Sequence, residues 1–412
     1  MMYRFKLLTT LFALPFAIFT AAGFSELTAA DWPNYRGPMQ NGISEETQWR
    51  KDYGTQSPPV LWRASVGVGF SSMVANGTRV YTMGHQEGQD YIQCIDASNG
   101  KSIWKHSYES DLDDRFFEGG PTSTPTLDGD RVYALARHGD LFCLDAQTGE
   151  LRWHKNLAND EEVRVPGWGF AGSPVVVGDH LLLNVGSAGM LLHKNTGETV
   201  WKSAEGEAGY MTPLVFKEGT NDYALIASGK QYHCVRLDSG EILWKHRWLT
   251  TYGCNAASPI LRNQRLFLSS GYGRGAALLQ VDQNPPRVLW SHKELSNQMN
   301  SSVLVGDHLY GFDGDENGEV QLRCVEFETG HVRWSHPGLG SGSLMAADNH
   351  LILLSSTGEL LIAPANPDSF KPSTQVKVME GKCWTVPVLC HSKLFCRNAA
   401  GDLLCLDLRQ PN

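Results

Sequence analysis

The side chains in this sequence with chemistry to offer are aromatic rings set beside single polar or charged groups. They recur as Phe116-Phe117-Glu118, Arg164 with Trp168 and Phe170, Tyr210, Tyr252 with Asn255, Asn297 with Asn300, and Lys382 with Trp384. Rings supply flat apolar faces, and the polar groups between them fix orientation, which is the make-up of a site that stacks a planar ligand. The candidate ligand-binding set is therefore Glu118, Arg164, Trp168, Tyr210, Tyr252, Asn255, Asn300, Lys382 and Trp384. Trp168 or Trp384 would be the stacking platform, with Arg164, Asn255 and Lys382 as the holding groups. The competing reading is that these side chains fill a channel and satisfy one another.

Other reactive groups point less clearly to a site. Asp111, Asp113, Asp114 and Glu118 share one loop and could supply a general base or a metal ligand, although a solvated acidic loop has the same composition. The run Asp313-Gly314-Asp315-Glu316-Asn317-Gly318 imitates the start of a calcium loop, but Cys324 stands where the twelfth-position Glu belongs. Asp-Gly and Asn-Gly also form ordinary hairpin turns, and we read the run as one. His106, His154, His246, His292 and His336 each trail a Trp by one or two positions, a structural recurrence without metal-ligand spacing. No nucleophile elbow, phosphate loop or zincin motif is present, so no catalytic residue and no metal site is assigned.

The first 30 residues read as an export signal. Arg4 and Lys6 precede the apolar run Leu7 to Phe19, and Thr28-Ala29-Ala30 suits cleavage before Asp31. No later run reaches the ~18 apolar residues that a membrane span needs, so a soluble periplasmic or secreted protein is expected. A net charge of −9 argues against a nucleic-acid or anionic-membrane surface. The sequence holds nine cysteines. Cys94, Cys143, Cys324 and Cys405 each stand two residues before an acidic residue, one repeated slot filled by a small apolar side chain. Of Cys234, Cys254, Cys383, Cys390 and Cys396, the last three are the most plausible source of a single disulfide.

The elements that must position these groups are repeats. GKSIW at 100–104, GELRW at 149–153, GETVW at 197–201, GEILW at 240–244, PRVLW at 286–290 and GHVRW at 330–334 align on Trp. With Trp62 they make seven structural tryptophans, Trp62, Trp104, Trp153, Trp201, Trp244, Trp290 and Trp334, at intervals of 42 to 49 residues. Each is preceded by a second hairpin, clearest in Ser173-Pro174 through Gly178-Asp179-His180. Four short antiparallel strands in every ~45 residues define a propeller blade. Six blades end at Trp104 to Trp334, and residues 338–412 hold a seventh without the Trp and an eighth of three strands. The orphan strand around Trp62 would complete the eighth and close the ring. The expectation is an all-β, eight-bladed propeller over residues 58–412, behind an irregular arm at 31–57. Each Trp would lay its ring over the Gly-containing turn of the neighbouring blade.

The module Leu144-Asp145-Ala146-Gln147-Thr148-Gly149-Glu150-Leu151-Arg152-Trp153 resembles the PQQ-like repeat of eight-bladed quinoprotein propellers, and the likeness runs through most of residues 58–412. The Asp31–Pro38 stretch and the segment Trp168–Pro174 also look like exported bacterial propellers of this type. The resemblance implies one of two activities. Some members are calcium- and quinone-dependent alcohol dehydrogenases; others, such as the outer-membrane assembly lipoprotein, scaffold partners without a cofactor. Family dehydrogenases carry adjacent cysteines over the quinone, and haem-bearing members carry C-x-x-C-H; neither occurs here. The scaffold's lipid-bearing cysteine is also missing near the cleavage site. The leading expectation is a monomeric exported protein that binds or scaffolds a small ligand or a protein partner through its channel mouth. The alternative is a quinoprotein oxidoreductase, and PQQ and calcium enter only with that alternative.

Overall fold

A four-stranded antiparallel sheet has two faces to cover, and in this chain each sheet is covered by the next. The computed structural model describes residues 31–316 and 318–411, so the export signal expected at 1–30 lies outside the described residues. Eight four-stranded sheets follow one another around a ring. The second and third strands of each are buried on both faces. Arg131–Leu135 and Asp140–Asp145, for example, read as continuous apolar runs, whereas the outer strand Leu151–Asn156 is largely exposed. Apolar clusters bridge successive sheets, as where Tyr133 and Leu141 of the second blade meet Leu181 and Leu183 of the third.

The ring closes with a strand borrowed from the N-terminal side. Val388–Cys390, Lys393–Arg397 and Asp402–Asp407 take Val60–Ser65 as their outer strand, with Trp62 opposite Cys405. Such closure leaves no open outer edge at the ends of the array. The seventh blade, Ser343–Ala347 through Thr374–Lys377, lacks the repeat Trp but keeps all four strands.

Six of the seven repeat tryptophans make the same indole bond and five of their rings lie over a turn glycine, while the blade after Trp244 carries Pro286 in that glycine's place. The Trp104 indole N–H donates to the Ala146 carbonyl at 3.2 Å, and those of Trp62, Trp153, Trp201, Trp290 and Trp334 make the matching bond one blade further on. Its ring covers Gly149, whose φ of +76° and lack of Cβ let the turn lie flat beneath it; an added Cβ would stand 2.6 Å from Trp104 Cδ2. Burying each ring this way stabilises the junction by about 1.5–3 kcal/mol.

In the paired strand the residue opposite the Trp is Cys94, Cys143, Cys234, Cys324 or Cys405, and Leu191 or Leu278 elsewhere. Cys234 thus belongs to the repeated slot; Arg236, standing where the other copies have an acid, hides it in the sequence. All nine thiols are buried and free, those of Cys383, Cys390 and Cys396 included.

The arm does more than lie across the body. Trp32 pairs with Ala75, the Leu127 N–H donates to the Pro33 carbonyl, and the Arg36 guanidinium donates to the carbonyls of Ser301 and Ser302. Ile43–Ser44 then adds a fifth strand, parallel to Ser343–Ala347. These partners all belong to innermost strands or the residues leading into them, so the arm crosses the central channel. Beyond it, Trp49 and Tyr53 pack between the seventh and eighth blades on the way to Val60.

Candidate functional site

The loops that lead into the innermost strands gather at one mouth of the channel, and the loops joining second to third strands stand beside them. Together they enclose a cavity of about 400 Å³, which is of small-ligand size. Tyr35 of the arm is part of its lining. Tyr35 is half-buried, and burial raises the pKa of its phenol.

Trp168 is the centre of the wall. Its ring meets Phe116 at 6.2 Å and 73°, Tyr210 at 5.5 Å and 63°, and Tyr252 at 6.1 Å and 87° between centroids and planes. Tyr252 in turn meets Tyr272 at 5.0 Å and 85°. Across the mouth Trp384 packs on Phe70 at 5.5 Å, and Phe70 on Phe117 at 5.6 Å. Two rings stand out into solvent at the rim, Phe116 at 68% and Tyr252 at 60% exposure. An uncovered large aromatic pair beside a cavity marks a contact surface more than a structural plug.

The candidate set separates into three groups in space. Trp168, Tyr210, Tyr252, Asn300 and Trp384 line the cavity. Asn300 also ties the wall, its amide donating to the Gly342 carbonyl at 2.9 Å. Glu118 and Lys382 pair with each other at the rim, 2.7 Å apart, with the ammonium 4.1 Å above the Trp384 ring. Arg164 and Asn255 face elsewhere. Arg164 is exposed and reaches Glu207 at 3.4 Å. Asn255 is fully buried behind the wall, donating to the carbonyls of Ser228 and Trp248 and accepting from Ser270. Arg164, Asn255 and Lys382 therefore do not come together as holding groups.

Several lining residues lie outside the candidate set. Tyr272 and Glu316 stand on loops between second and third strands, Glu316 in the run read above as a hairpin turn. Phe70 was legible, since Val68-Gly69-Phe70 repeats the Trp168-Gly169-Phe170 pattern. The Asp313–Gly318 run is a hairpin turn whose carboxylates diverge. Asp313 accepts from the Ser296 N–H at 2.6 Å and pairs with Arg323 at 3.1 Å, while Glu316 turns to the cavity and is held by Gln298. In the acidic loop Asp113 is taken up by Arg137 at 2.5 Å, and Asp111 and Asp114 are exposed.

The lining offers apolar faces and hydrogen-bonding groups. Burial pushes the Tyr272 phenol up to about 12, against the pull of its Gln298 hydrogen bond, and the Tyr210 phenol goes up for the same first reason. Burial and then Glu316 push the Cys254 thiol to about 12, so it is no thiolate nucleophile. Among the described residues no Lys or Arg lines the cavity, and Glu316 is its one carboxylate. PQQ is a planar tricarboxylate and needs cations around it; calcium needs six to eight oxygens, several of them charged. The residues present fit neither group.

The family model described as outer membrane protein assembly factor BamB matches residues 46–183 and 88–336 of the chain. The chain is 22% identical over 379 residues to the outer membrane protein assembly factor BamB of Yersinia pestis, covering 84% of this chain and 88% of that protein. To the quinoprotein ethanol dehydrogenase of Pseudomonas aeruginosa it is 28% identical over 183 residues, covering 40% of this chain and only 29% of the enzyme. Among solved structures, the quinohemoprotein alcohol dehydrogenase of Comamonas testosteroni superposes with a TM-score of 0.67 at 12% identity, covering 93% of this chain and 81% of that one. At that identity the likeness is one of fold.

Proposed function

We propose, from the premise that this chain belongs to the outer membrane protein assembly factor BamB family, that it is an exported binding propeller which takes an apolar or aromatic segment of a protein partner into its aromatic mouth. The observation that carries this reading is the cavity walled by Trp168, Tyr210, Tyr252, Tyr272 and Trp384, with Phe116 and Tyr252 exposed at the rim. Rigid aromatic rings give large contact area at low ordering cost, which is why they anchor interfaces. A family described as an outer membrane protein assembly factor agrees with a partner that is itself polypeptide. Among the described residues no helix is long and apolar enough to cross a membrane, which suits an exported binding domain.

The test is a selection of displayed peptides against the folded chain, read through quenching of tryptophan fluorescence. Selected peptides should carry aromatic or large apolar side chains, quench saturably, and lose affinity at least about tenfold on Trp168→Ala or Tyr252→Ala. Selected peptides that bind both variants unchanged would move the site off the mouth. The oxidoreductase alternative meets its own control in the same assay. PQQ with calcium should give no saturable quenching, and calcium-dependent quenching lost on Trp168→Ala would revive the enzyme reading.

A further inference from the structure

Away from the mouth, at the seam where the first and eighth blades meet, three side chains of metal-binding type converge. They are Asp31 at the start of the arm and the consecutive pair Cys390-His391, which ends the inner strand of the eighth blade and opens its first turn. A carboxylate oxygen, the thiol sulfur and an imidazole nitrogen all lie within 4.8 Å of one another, the one such group among the described residues. Asp31 Oδ1 stands 2.8 Å from His391 Nε2. We propose that Asp31, Cys390 and His391 bind a divalent ion of the zinc class, beside the carboxylate of Glu46.

The geometry requires little movement. Tetrahedral zinc with bonds of about 2.0–2.3 Å holds its ligand atoms roughly 3.3–3.8 Å apart. The Asp31–His391 contact opens by about half an ångström to admit the ion, and the sulfur, within 4.8 Å of both partners, closes by at most about an ångström. Asp31 is 3% exposed and Cys390 2%, whereas the His391 side chain is 36% exposed and leaves a path from solvent. Gly77 keeps the space beside the imidazole open; a Cβ there would stand 3.2 Å from Nε2.

Glu46 supplies the second line of argument. One of its carboxylate oxygens accepts from the Ser392 N–H at 2.7 Å, while the other, Oε1, is buried and has no hydrogen-bond partner. An unpartnered buried carboxylate oxygen is costly unless a cation meets it.

A thiolate, an imidazole and carboxylates select zinc and its neighbours over calcium or magnesium, which take oxygen alone. On binding, the Cys390 S–H bond is replaced by a sulfur–metal bond and the proton passes to water. Neutral His391 bonds through Nε2, and the carboxylates keep their charge. The ion would join three parts of the chain: the arm, the first-blade turn at Gly77, whose N–H donates to Asp31 Oδ1 at 3.1 Å, and the eighth-blade turn. It is a staple on the side of the seam opposite the mouth.

The test uses the full-length exported chain. After exhaustive dialysis against metal-free buffer with a weak chelator, elemental analysis should find about one zinc per chain. Cobalt substitution should give the near-ultraviolet thiolate-to-cobalt absorption. His391→Asn is the informative variant, because His391 has φ +51° in its turn, a conformation that Asn accepts readily, so the fold persists while the imidazole is lost. It should weaken zinc at least about tenfold, and Cys390→Ser should abolish the cobalt band. No metal and no cobalt band in the unaltered chain overturns the proposal, as does zinc affinity unchanged in both variants.

Discussion

Replacing Gly149 with Ala isolates the contact on which the repeat depends. Gly149 and Gly129 both sit in turns with positive φ, +76° and +56°. A Cβ at Gly129 meets nothing within 4 Å, whereas at Gly149 it would stand 2.6 Å from Trp104 Cδ2 and 2.7 Å from Cε3. Both alanines carry a left-handed strain of roughly 1–2 kcal/mol, partly offset by reduced freedom in the unfolded chain. Only Gly149→Ala must also push a ring back by about 1 Å to reach normal contact near 3.5–4.0 Å. That overpacking costs about 1–3 kcal/mol, and the indole bond to the Ala146 carbonyl, worth about 1 kcal/mol, goes with it. Gly149→Ala should therefore fall about 2–4 kcal/mol below Gly129→Ala. For a chain of this length calorimetric entropy makes that a gap of roughly 2–4 °C in melting temperature. In a Trp104→Leu background the gap should close, because the atoms that clash are absent. Equal losses from the two alanines in the unaltered background would refute the ring-over-turn account.

The other predictions follow from buried groups. Burial, and then Lys245, depress the His233 imidazole to about 4. Between about 6.5 and 4 the unfolded chain takes up a proton that the native chain refuses, so stability falls with falling pH across that window, by up to roughly 3 kcal/mol, and then levels. His233→Gln should flatten that part of the pH–stability curve. Glu161, held down to about 2 by Lys155, Thr199 and Lys202 against its own burial, gives a separate loss as pH falls from about 4.5 toward 2. Arg397, fully buried, donates to the carbonyls of Ser71, Met83 and Gly67 and to Thr82 Oγ1. Arg397→Met should destabilise by about 3–5 kcal/mol in chemical denaturation by leaving those acceptors dry, and a loss under 1 kcal/mol would show that water replaces the guanidinium.

The fold was legible because each repeat solves one burial problem with one residue pattern. Trp, the turn glycine and the small residue opposite the Trp recur, so period and strand count could be read from the alignment of Trp104 through Trp334. Where a copy departs from the pattern, reading failed locally, as for Cys234. The mouth was legible in part for the same reason, since the loops into inner strands occupy fixed places in the period, and Trp168, Tyr210, Tyr252, Asn300 and Trp384 came from them. Direction was not legible. Asn255 and Tyr252 are three residues apart, yet one is fully buried behind the wall and the other is 60% exposed at the rim. Tyr35 in the cavity lining and the Asp31–His391 contact, 360 residues apart in sequence, follow from the path of an irregular arm that no periodicity describes.

A closed ring of blades leaves the inner edge of each sheet facing the channel with unpaired backbone groups. The arm meets four of the eight edges, through Trp32 at Ala75, Pro33 at Leu127, Arg36 at Ser301 and Ser302, and Ile43–Ser44 along Ala346 and Ala347. Arg36 is held entirely by carbonyls, and burial lowers its pKa, so its place is fixed by geometry more than by charge. Tyr35 is consequently presented to the cavity by a segment that belongs to no blade. A ligand resting on Tyr35 and an ion holding Asp31 would act on the same short stretch of chain. By linkage, whatever tightening one brings to the other must be returned in equal measure.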